Sequence, residues 1–347
     1  ALNNGDISNN GELSVSGDWM NVDTYSPGTG LFILNGAGTQ NIAHNGQVYQ
    51  LQIDGGGQKN ITGTLEVLDT LNLIDGHVVT SNGAFLLIQS SGEVQGGSNL
   101  SYIDGVLYHQ GTGRKYFPVG TNGNFSPAEL TSIAGTNPVV GISVNEPNES
   151  PIVPLQLLSV SHTRYWQLEQ RSGVYDGSQI RLKVSLDEGL DPDVDIADIV
   201  VSASDSIGGQ FTSIGQSTFS GLAQDGEVTS AQLANSEFYA IAVAGFAEER
   251  GLYVPNALSP AASNPEDQVV KVYGQQIADE DFAFIIYNRW GQVVFETDSF
   301  AVANGVGWYG ETVSAEQESL GVYHYTLTGK FVSGRSFKRQ GTITVIR

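Results

Sequence analysis

Short segments of alternating polarity, separated by glycine- and asparagine-rich breaks, fill the first hundred residues. Residues 49–53 form such a segment, and an Asp-Gly-Gly-Gly break follows at 54–57. Glycine and asparagine tolerate the positive φ angles of tight reversals, so this pattern predicts short strands joined by turns. Because the spacing has no strict period, a β-solenoid and a β-meander both fit residues 1–100. Repeated Leu-x-Leu cores, with successive strands predicted at 65–68 and 71–73, favour the stacked rungs of a solenoid.

Longer strands of alternating polarity are predicted after residue 100. Residues 180–186 and 238–243 are examples, and their period of two is typical of strands that bury one face. We therefore predict a β-sandwich for residues 101–250, which ends in a short acidic hinge. In residues 251–347 the same period recurs in about seven segments without a helical stretch, which predicts an immunoglobulin-like β-sandwich. The predicted fold class is all-β, in three domains.

The charge and composition of the chain exclude several classes of partner and site. The 347 residues include 37 acidic and 15 basic side chains, and the net charge is −22. The phosphates of nucleic acid and anionic membranes repel such a chain. Because there is no cysteine, disulfides, thiolate metal sites and cysteine nucleophiles are excluded. The longest apolar stretch, residues 238–247, is far shorter than the roughly 20 residues of a transmembrane helix, so we expect none.

Motifs for catalysis or cofactor binding are not recognisable in the sequence. The five histidines are scattered through strand and turn patterns, and none of them stands at a metal-ligand spacing on a helix. There is no nucleophile elbow, phosphate-binding loop or dinucleotide fingerprint. We therefore expect no enzymatic activity and no cofactor.

One acidic segment is a candidate calcium site. Asp191, Asp193 and Asp195 have the spacing of the first ligands of a calcium-binding loop. Ile196 stands where that loop requires glycine, and Ser202 stands where it requires a bidentate glutamate. These two departures argue against an EF-hand loop. A looser calcium site between strands and a solvated acidic loop both remain open.

The last module contains five linked motifs, one of which is Gly-Trp-Tyr-Gly at residues 307–310. Residues 253–260 have the sequence Tyr-Val-Pro-Asn-Ala-Leu-Ser-Pro, and residues 288–291 have the sequence Asn-Arg-Trp-Gly. Residues 320–325 are Leu-Gly-Val-Tyr-His-Tyr, and residues 341–347 are Gly-Thr-Ile-Thr-Val-Ile-Arg. This order closely resembles the gliding-motility-associated C-terminal domain, the type B sorting signal of the type IX secretion system in Bacteroidota. The resemblance covers residues 251–347. The site residues that it implies are Val254, Pro255, Asn256, Ser259, Pro260, Asn288, Arg289, Trp290, Gly291, Gly321, Val322, Tyr323, Lys338, Arg339, Gly341 and Arg347.

The resemblance implies an export route. Proteins of this class cross the inner membrane with a cleaved signal peptide, and the start of the chain at Ala1, without Met or an apolar segment, fits its removal. The outer-membrane translocon and its shuttle β-barrel protein then recognise the folded C-terminal domain. The cargo ends at the cell surface or in the medium. Residues 261–267 depart from the family, which often has an acidic Asn-Gly-Asp-Gly-type loop here, so cation binding by that loop is not carried over.

The end of the chain is basic although the chain as a whole is acidic. Residues 330–347 contain five basic side chains and no acidic residue. The chain stops directly after an alternating pattern, so we expect its end to be the last strand of a folded module. Two interpretations of the basic residues are open. They protect an exposed edge strand from aggregation, or they contact the secretion machinery.

The aromatic residues of the last module are predicted to pack. Tyr323 and Tyr325 lie on one face of a strand at a period of two. Trp290 and Trp308 are likewise expected to cover the sandwich, with the guanidinium of Arg289 against the Trp290 ring.

Two classes of function fit residues 1–250. The first is a non-catalytic adhesin or structural module whose ligand is a surface glycan or a protein. The second is a secreted polysaccharide-binding or polysaccharide-degrading protein. A binding module of the second class is expected to show a planar row of exposed aromatics, and Trp19 is the one tryptophan in residues 1–150. The composition therefore favours the first class.

Overall fold

The computed structural model describes residues 1–80, 83–154, 156–191, 194–245, 251–311, 320–332, 334 and 336–346. The chain folds into two compact units, Ala1–Gly245 and Phe246–Arg347, each with its own hydrophobic core. Strands make up 57% of the structure and helices 5%, which confirms the all-β prediction. The division into three domains stays a prediction, and the hinge at residues 248–250 lies outside the described residues.

The elements are numbered in chain order. The strands of the first unit are β1 (Leu2–Asn3), β2 (Ile7–Ser8), β3 (Glu12–Val15), β4 (Trp19–Asn21), β5 (Tyr25–Ser26), β6 (Leu31–Leu34), β7 (Gln40–Ala43), β8 (Gly46–Ile53), β9 (Gln58–Ile61), β10 (Thr64–Leu73), β11 (His77–Thr80), β12 (Phe85–Ile88), β13 (Glu93–Gly96), β14 (Ile103–Asp104), β15 (Leu107–Gln110), β16 (Gly113–Phe117), β17 (Gly120–Thr121), β18 (Asn124–Phe125), β19 (Ala128–Asn145), β20 (Leu157–Val160), β21 (Tyr165–Gly177), β22 (Ile180–Ser185), β23 (Ile199–Ser204), β24 (Thr212–Gly215), β25 (Thr218–Leu222), β26 (Asp225–Thr229) and β27 (Phe238–Ala244). The second unit contains β28 (Ala257–Leu258), β29 (Ile277–Tyr287), β30 (Val293–Thr297), the helix α1 (Phe300–Gly305), β31 (Gly321–Phe331) and β32 (Ser336–Val345). Short 3-10 helices occur at Leu186–Glu188, Ile196–Asp198 and Pro265–Gln268.

Parallel strands stack into a solenoid at the start of the first unit. One ladder contains β1, β4, β7, β9, β11 and β14, and a second contains β3, β6, β8 and β10. The rungs are in register, so that Leu51 lies between Phe32 and Leu71. All three side chains are fully buried. Because neighbouring strands of a meander are antiparallel, the parallel pairing excludes the meander and confirms the solenoid-like prediction.

Glycine shapes the turn between two rungs. Gly55, Gly56 and Gly57 have left-handed backbones, with φ angles of 77°, 75° and 65°. A β-carbon on Gly55 would clash with the carbonyl oxygen of Asn35 in the preceding rung. Glycine is therefore required here both by the backbone conformation and by the close approach of the rungs.

One solenoid strand is longer than predicted. Residues 65–68 and 71–73, which the apolar pattern predicts as two strands, belong to the single strand β10. Its register against β8 shifts between Val67 and Thr70. The shift interrupts the alternation of apolar and polar residues at this point, so the sequence pattern shows two short segments where the structure has one strand.

Antiparallel strands continue the core of the solenoid. β15 pairs in parallel with β12 and antiparallel with β19, and β19 also pairs with β16, β21 and β22. One hydrophobic cluster includes residues from Val15 to Ile241, with Trp166 fully buried in it. The parallel and antiparallel strands of this unit therefore share one core. The β-sandwich assigned to residues 101–250 stays a prediction.

The second unit is built on a five-stranded sheet in the order β28-β32-β31-β29-β30. β28 is parallel to β32, and the other neighbours are antiparallel. Phe284, Ile286, Leu327 and Ile343 bury one face of this sheet, and Trp308 packs in the same core. This arrangement leaves the opposite face, called the outer face below, to carry the half-buried and exposed side chains.

A short helix corrects the prediction that residues 251–347 contain none. In α1, Ala303 is fully buried, and the ring of Phe300 lies 5.8 Å from that of Phe282 in an edge-to-face contact. Its six residues are too few for a helical period to stand out in the sequence. In the described part of the chain, no helix is long and apolar enough to cross a membrane.

Residues 268–272, one of the seven or so alternating segments on which the sandwich prediction for residues 251–347 rests, form no strand. Gln268 ends the 3-10 helix Pro265–Gln268, and Val270 makes a single bridge to Trp308. The apolar side chains of this segment enter the core without joining the sheet. Among the described residues of the second unit there are five strands rather than the predicted seven, and the immunoglobulin-like sandwich stays a prediction.

Candidate recognition surface of the C-terminal unit

The final strand is a sheet edge over most of its length. β32 pairs with β31 from Ser336 to Val345, but only Thr344 and Val345 pair with β28 on the other side. Lys338 and Arg339 are exposed in the unpaired part. Neither has a carboxylate within 4.0 Å among the described residues. The structure therefore fits the edge that the sequence predicts, and it leaves both charges available to a partner.

The other three basic residues of the C-terminal segment are either paired or outside the described residues. Arg335 and Arg347 lie outside the described residues. Lys330 forms an ion pair with Asp281 at 2.6 Å, so its charge is used within the sheet. Lys338 and Arg339 are consequently the exposed basic side chains of the C-terminal segment without an ion pair among the described residues.

Gly341 has a structural reason to be glycine. It lies opposite Tyr325 in the ladder of β31 and β32, and a β-carbon at this position would be 2.7 Å from Cε1 of the Tyr325 ring. The same ring contacts that of Phe284 edge to face at 5.9 Å. Tyr325 thus covers the glycine and extends the core beneath the final strand.

The turn between β29 and β30 is locked by hydrogen bonds. Oδ1 of Asn288, a nearly buried residue, accepts from the backbone N–H groups of Trp290 and Gln292, both at 3.0 Å. The Asn288 side chain also donates to Oε1 of Gln292 at 2.9 Å. Gly291 has a φ angle of 80° and donates to the Asn288 carbonyl at 2.9 Å. Asparagine and glycine at these positions hold the two residues between them in one conformation.

Those two residues, Arg289 and Trp290, form an exposed pair. The Arg289 guanidinium carbon lies 4.1 Å from the centre of the Trp290 ring, and the Trp290 side chain is 66% exposed. The stacked pair is as predicted, but the expectation that Trp290 covers the core is wrong. The expectation of burial is correct for Trp308 and Tyr323, whose rings lie 5.1 Å apart in the core. A residue at the tip of a hairpin belongs to neither face of the sheet, so alternation cannot bury it.

A shallow concavity of about 410 Å³ lies on the outer face. Tyr287, His324 and Thr342 lie side by side on β29, β31 and β32 and form one row of its lining. Thr326 and Gln340 form the next row. Because side chains alternate along a strand, Lys338 continues this face from Gln340.

Exposed apolar side chains connect the concavity with the turn. Val293 is exposed and pairs with Tyr287 at the base of the hairpin. Val322, which is 50% exposed, shares the outer face with His324 two residues further along β31. We call the turn 288–291 together with the outer face the recognition surface.

The fold brings the separated motifs together in two groups. In the first, the Asn256 carbonyl accepts from the Thr344 N–H at 2.9 Å, so the motif at 253–260 braces the last residues of β32. Val254 is buried there, and Pro255, Ser259 and Pro260 are half-buried. In the second, β29 and β31 place the turn 288–291 beside Gly321, Val322 and Tyr323 at the same end of the sheet.

Residues 252–345 match the family model described as the CHU_C Type IX secretion signal domain. The second unit is a type IX secretion signal domain. No curated protein matches the chain. The match is confined to the second unit, so it assigns a sorting role to the end of the chain and leaves residues 1–250 unassigned.

Sequence reasoning missed part of the surface of the secretion signal domain. Tyr287, Val293, Gln340 and Thr342 are absent from the predicted site, although the period of two in their strands places them opposite the buried residues. The predicted departure from the family at residues 261–267 is a capped turn. Its Asn264 side chain accepts from the Glu266 N–H at 3.3 Å and begins the 3-10 helix.

The calcium candidate lies in the first unit and stays a prediction. Asp193 is outside the described residues. The Asp195 carboxylate accepts from the Ala197 N–H at 2.9 Å and caps a 3-10 helix, while the Asp191 carbonyl accepts from the Val194 N–H at 3.1 Å. In the part of the chain that the structure describes, no group of three or more histidine or carboxylate side chains is placed to hold a metal ion.

A buried charge cluster is the main electrostatic feature of the first unit. Arg164 is almost fully buried and forms ion pairs with Asp187, with Glu188 at 3.3 Å and with Glu146 at 3.4 Å. It also donates to the Ser126 hydroxyl. The cluster therefore ties together segments that are distant in sequence, and breaking it would leave a charge buried without its partners.

The unfolding free energy of the first unit is expected to depend on pH through Glu188. Burial raises the pKa of Glu188 from 4.5 to about 7, against the opposing effects of the Arg164 charge and the hydrogen bond from Ser161. Between these values the folded chain holds a proton that the unfolded chain has lost. The stabilisation is therefore complete at low pH and is lost as the pH rises through 7.

Glu188→Gln should remove this dependence. The stability of the wild type relative to the variant is expected to fall by about 2 kcal/mol between pH 5 and pH 8, as measured by denaturant unfolding at a series of pH values. Glu149→Gln, at an exposed position, is the matched control and should leave the profile unchanged. Parallel profiles for the wild type and Glu188→Gln would contradict the assignment.

Proposed function

We propose that this chain is a cargo protein whose second unit directs it through the type IX secretion machinery to the cell surface or the medium. In this proposal the outer-membrane translocon and its shuttle β-barrel protein recognise residues 251–347, after a signal peptide has been cleaved. Residues 1–250 form a non-catalytic, adhesin-like or structural module that needs no cofactor and takes a surface glycan or a protein as its ligand.

The family match at residues 252–345 carries the export part of the proposal. The second unit also has a core separate from that of the first, as expected of a signal that is recognised in the folded state. The role of the first unit has indirect support. A solenoid of in-register rungs with polar outer side chains gives a rigid scaffold for display.

The recognition surface is the part of the signal that we assign to contact with the machinery. Interfaces draw most of their binding energy from a few residues, among which Trp, Tyr and Arg are enriched. Trp290 and Arg289 are rigidly presented, and exposed Val293 and Val322 adjoin them. Arg289 and Lys338 have no ion pair among the described residues, so an acidic partner surface would complement them. Arg339, which also lacks an ion pair there, pairs with Leu327 and so faces the other side of the edge strand.

Dependence on the secretion machinery tests the export proposal. The full chain, with a signal peptide, is expressed in a strain with a functional type IX system and in a matched strain without the outer-membrane translocon. Residues 1–245 should be accessible to added protease only in the first strain and should accumulate in the periplasm of the second. Equal accessibility in both strains would contradict export by this route.

Polysaccharide binding is the second candidate function of the first unit. One observation favours polysaccharide binding over an adhesin-like module that binds a protein. A cleft beside Phe125 gathers side-chain amides and carboxylates, the groups that hydrogen-bond sugar hydroxyls.

A further inference from the structure

An open cleft of about 380 Å³ lies on the first unit where β18 approaches β22 and the start of β26. Its volume is within the range of small-molecule sites. The side chains that matter for recognition are Asn99, Asn124, Phe125, Lys183, Asp187 and Asp225.

Several of these side chains have hydrogen-bonding groups without a partner among the residues that the structure describes. The Asn99 side-chain oxygen accepts from the Phe125 N–H at 2.9 Å, but the two donors of its amide have no acceptor among the described residues. The Asn124 amide and the Asp225 carboxylate make no side-chain hydrogen bond or ion pair within that part of the chain. Donors and acceptors of Asn99, Asn124 and Asp225 thus converge on one cleft without partners in the described part of the chain, which is the pattern of a ligand site.

The aromatic ring in the cleft is held in place. Phe125 pairs with Gly120 in the β17–β18 hairpin, and its ring packs so closely over Gly97 that a β-carbon there would lie 3.0 Å from Cζ. The Lys183 ammonium lies 5.9 Å from the ring centre. A fixed apolar ring surrounded by polar groups can accept the C–H face of a sugar while its hydroxyls meet the amides and carboxylates.

The charged side chains that line the cleft favour a neutral saccharide over an anionic one. Two cations, Lys183 and Arg164, and two carboxylates, Asp187 and Asp225, line the cleft, so the lining has no net charge. Glu188 and Glu146, which do not line the cleft, also pair with Arg164, and the chain carries −22 overall. An anionic ligand would meet these carboxylates and the field of the whole protein. Hydroxyl groups, which both donate and accept, fit the lining without such a penalty.

We propose that this cleft binds a neutral saccharide unit of a surface or extracellular glycan. The inference rests on the second candidate function and does not depend on the export route. Phe125 supplies the packing surface, Asn99 and Asn124 supply amide donors, and Asp225 accepts from sugar hydroxyls.

Binding to the purified full chain tests the proposal. Cello-, manno- and xylo-oligosaccharides form the neutral panel, and oligogalacturonates and alginate oligosaccharides form the anionic panel, with dissociation constants from titration calorimetry. A neutral oligosaccharide should bind, and Phe125→Ala and Asp225→Ala should each weaken it by about tenfold. Phe219→Ala, at an exposed phenylalanine on β25 outside the cleft, is the matched control and should bind like the wild type.

The remaining outcomes separate the site, the ligand class and the candidate function from one another. Asp225 is exposed, and its carboxylate makes no hydrogen bond or ion pair among the described residues, so Asp225→Ala should keep the fold even if Phe125→Ala disturbs it. Neutral binding that both variants retain would overturn the site but leave saccharide binding by this unit intact. Stronger binding of the anionic panel would overturn the proposed ligand class. Binding of neither panel would overturn the inference and the second candidate function, while export, which is measured in cells, would be unaffected.

Discussion

A chain that lacks residues 251–347 is expected to remain in the periplasm. The deletion removes the whole secretion signal domain, with its sheet, its core and the recognition surface. The matched residues of that domain all lie within the deleted segment. The fraction of residues 1–250 accessible to protease on intact cells should therefore fall to the background of a periplasmic protein. Fractionation of cells that express the truncated and full chains at equal levels measures this directly.

The truncated protein should still fold, which makes the result interpretable. The core of the first unit contains no residue of the second, and residues 1–245 form a compact unit. Thermal unfolding of the purified truncated chain should therefore retain the transition of the first unit. A folded, truncated protein that reaches the surface as efficiently as the full chain would contradict the assignment of the signal to residues 251–347.

The sequence predicts most of the architecture because β-structure has a local signature. The glycines at 55–57 mark a turn that only glycine can make where rungs stack closely, and this chemistry is visible in the sequence. Burial of Tyr323 follows from its period of two in β31. α1 is invisible by the same logic, since six residues do not complete enough turns to show a period.

Side chains whose surroundings come from distant segments could not be predicted. Arg164 belongs to an ordinary alternating segment, yet the fold surrounds it with carboxylates from residues 146, 187 and 188. The cleft beside Phe125 likewise combines residues of β18, β22 and β26. Trp290 is the opposite case. Its apolar character predicts burial, but the turn set by Asn288 and Gly291 places it outside both faces of the sheet.

The double variant Arg289→Ala/Trp290→Ala is expected to lower surface delivery by about tenfold or more. It removes the exposed aromatic and cationic groups of the turn, while Asn288 and Gly291, which fix the backbone, are kept. Because Trp290 makes little contact with the core, the unfolding free energy should change by less than about 0.5 kcal/mol. Surface delivery and thermal unfolding of the same variant separate recognition from folding.

Tyr309→Ala is the matched control for this variant. Tyr309 is an exposed aromatic residue of the secretion signal domain but lies outside the recognition surface. Its removal should leave delivery unchanged. Wild-type delivery of the double variant would show that the turn is not part of the contact and that its exposed tryptophan has another role.

Lys338→Gln/Arg339→Gln distinguishes the two interpretations of the basic final strand. If the charges only protect an exposed edge, the variant should aggregate more readily in concentrated solution but be delivered normally in cells. If they meet an acidic partner, delivery should fall and should add to the defect of the turn variant, because the two pairs occupy different parts of the domain. The presence of both exposed cations in a chain of net charge −22, without carboxylate partners in its described residues, favours the second result. A charge used only for protection could have been negative, as it is over most of this protein.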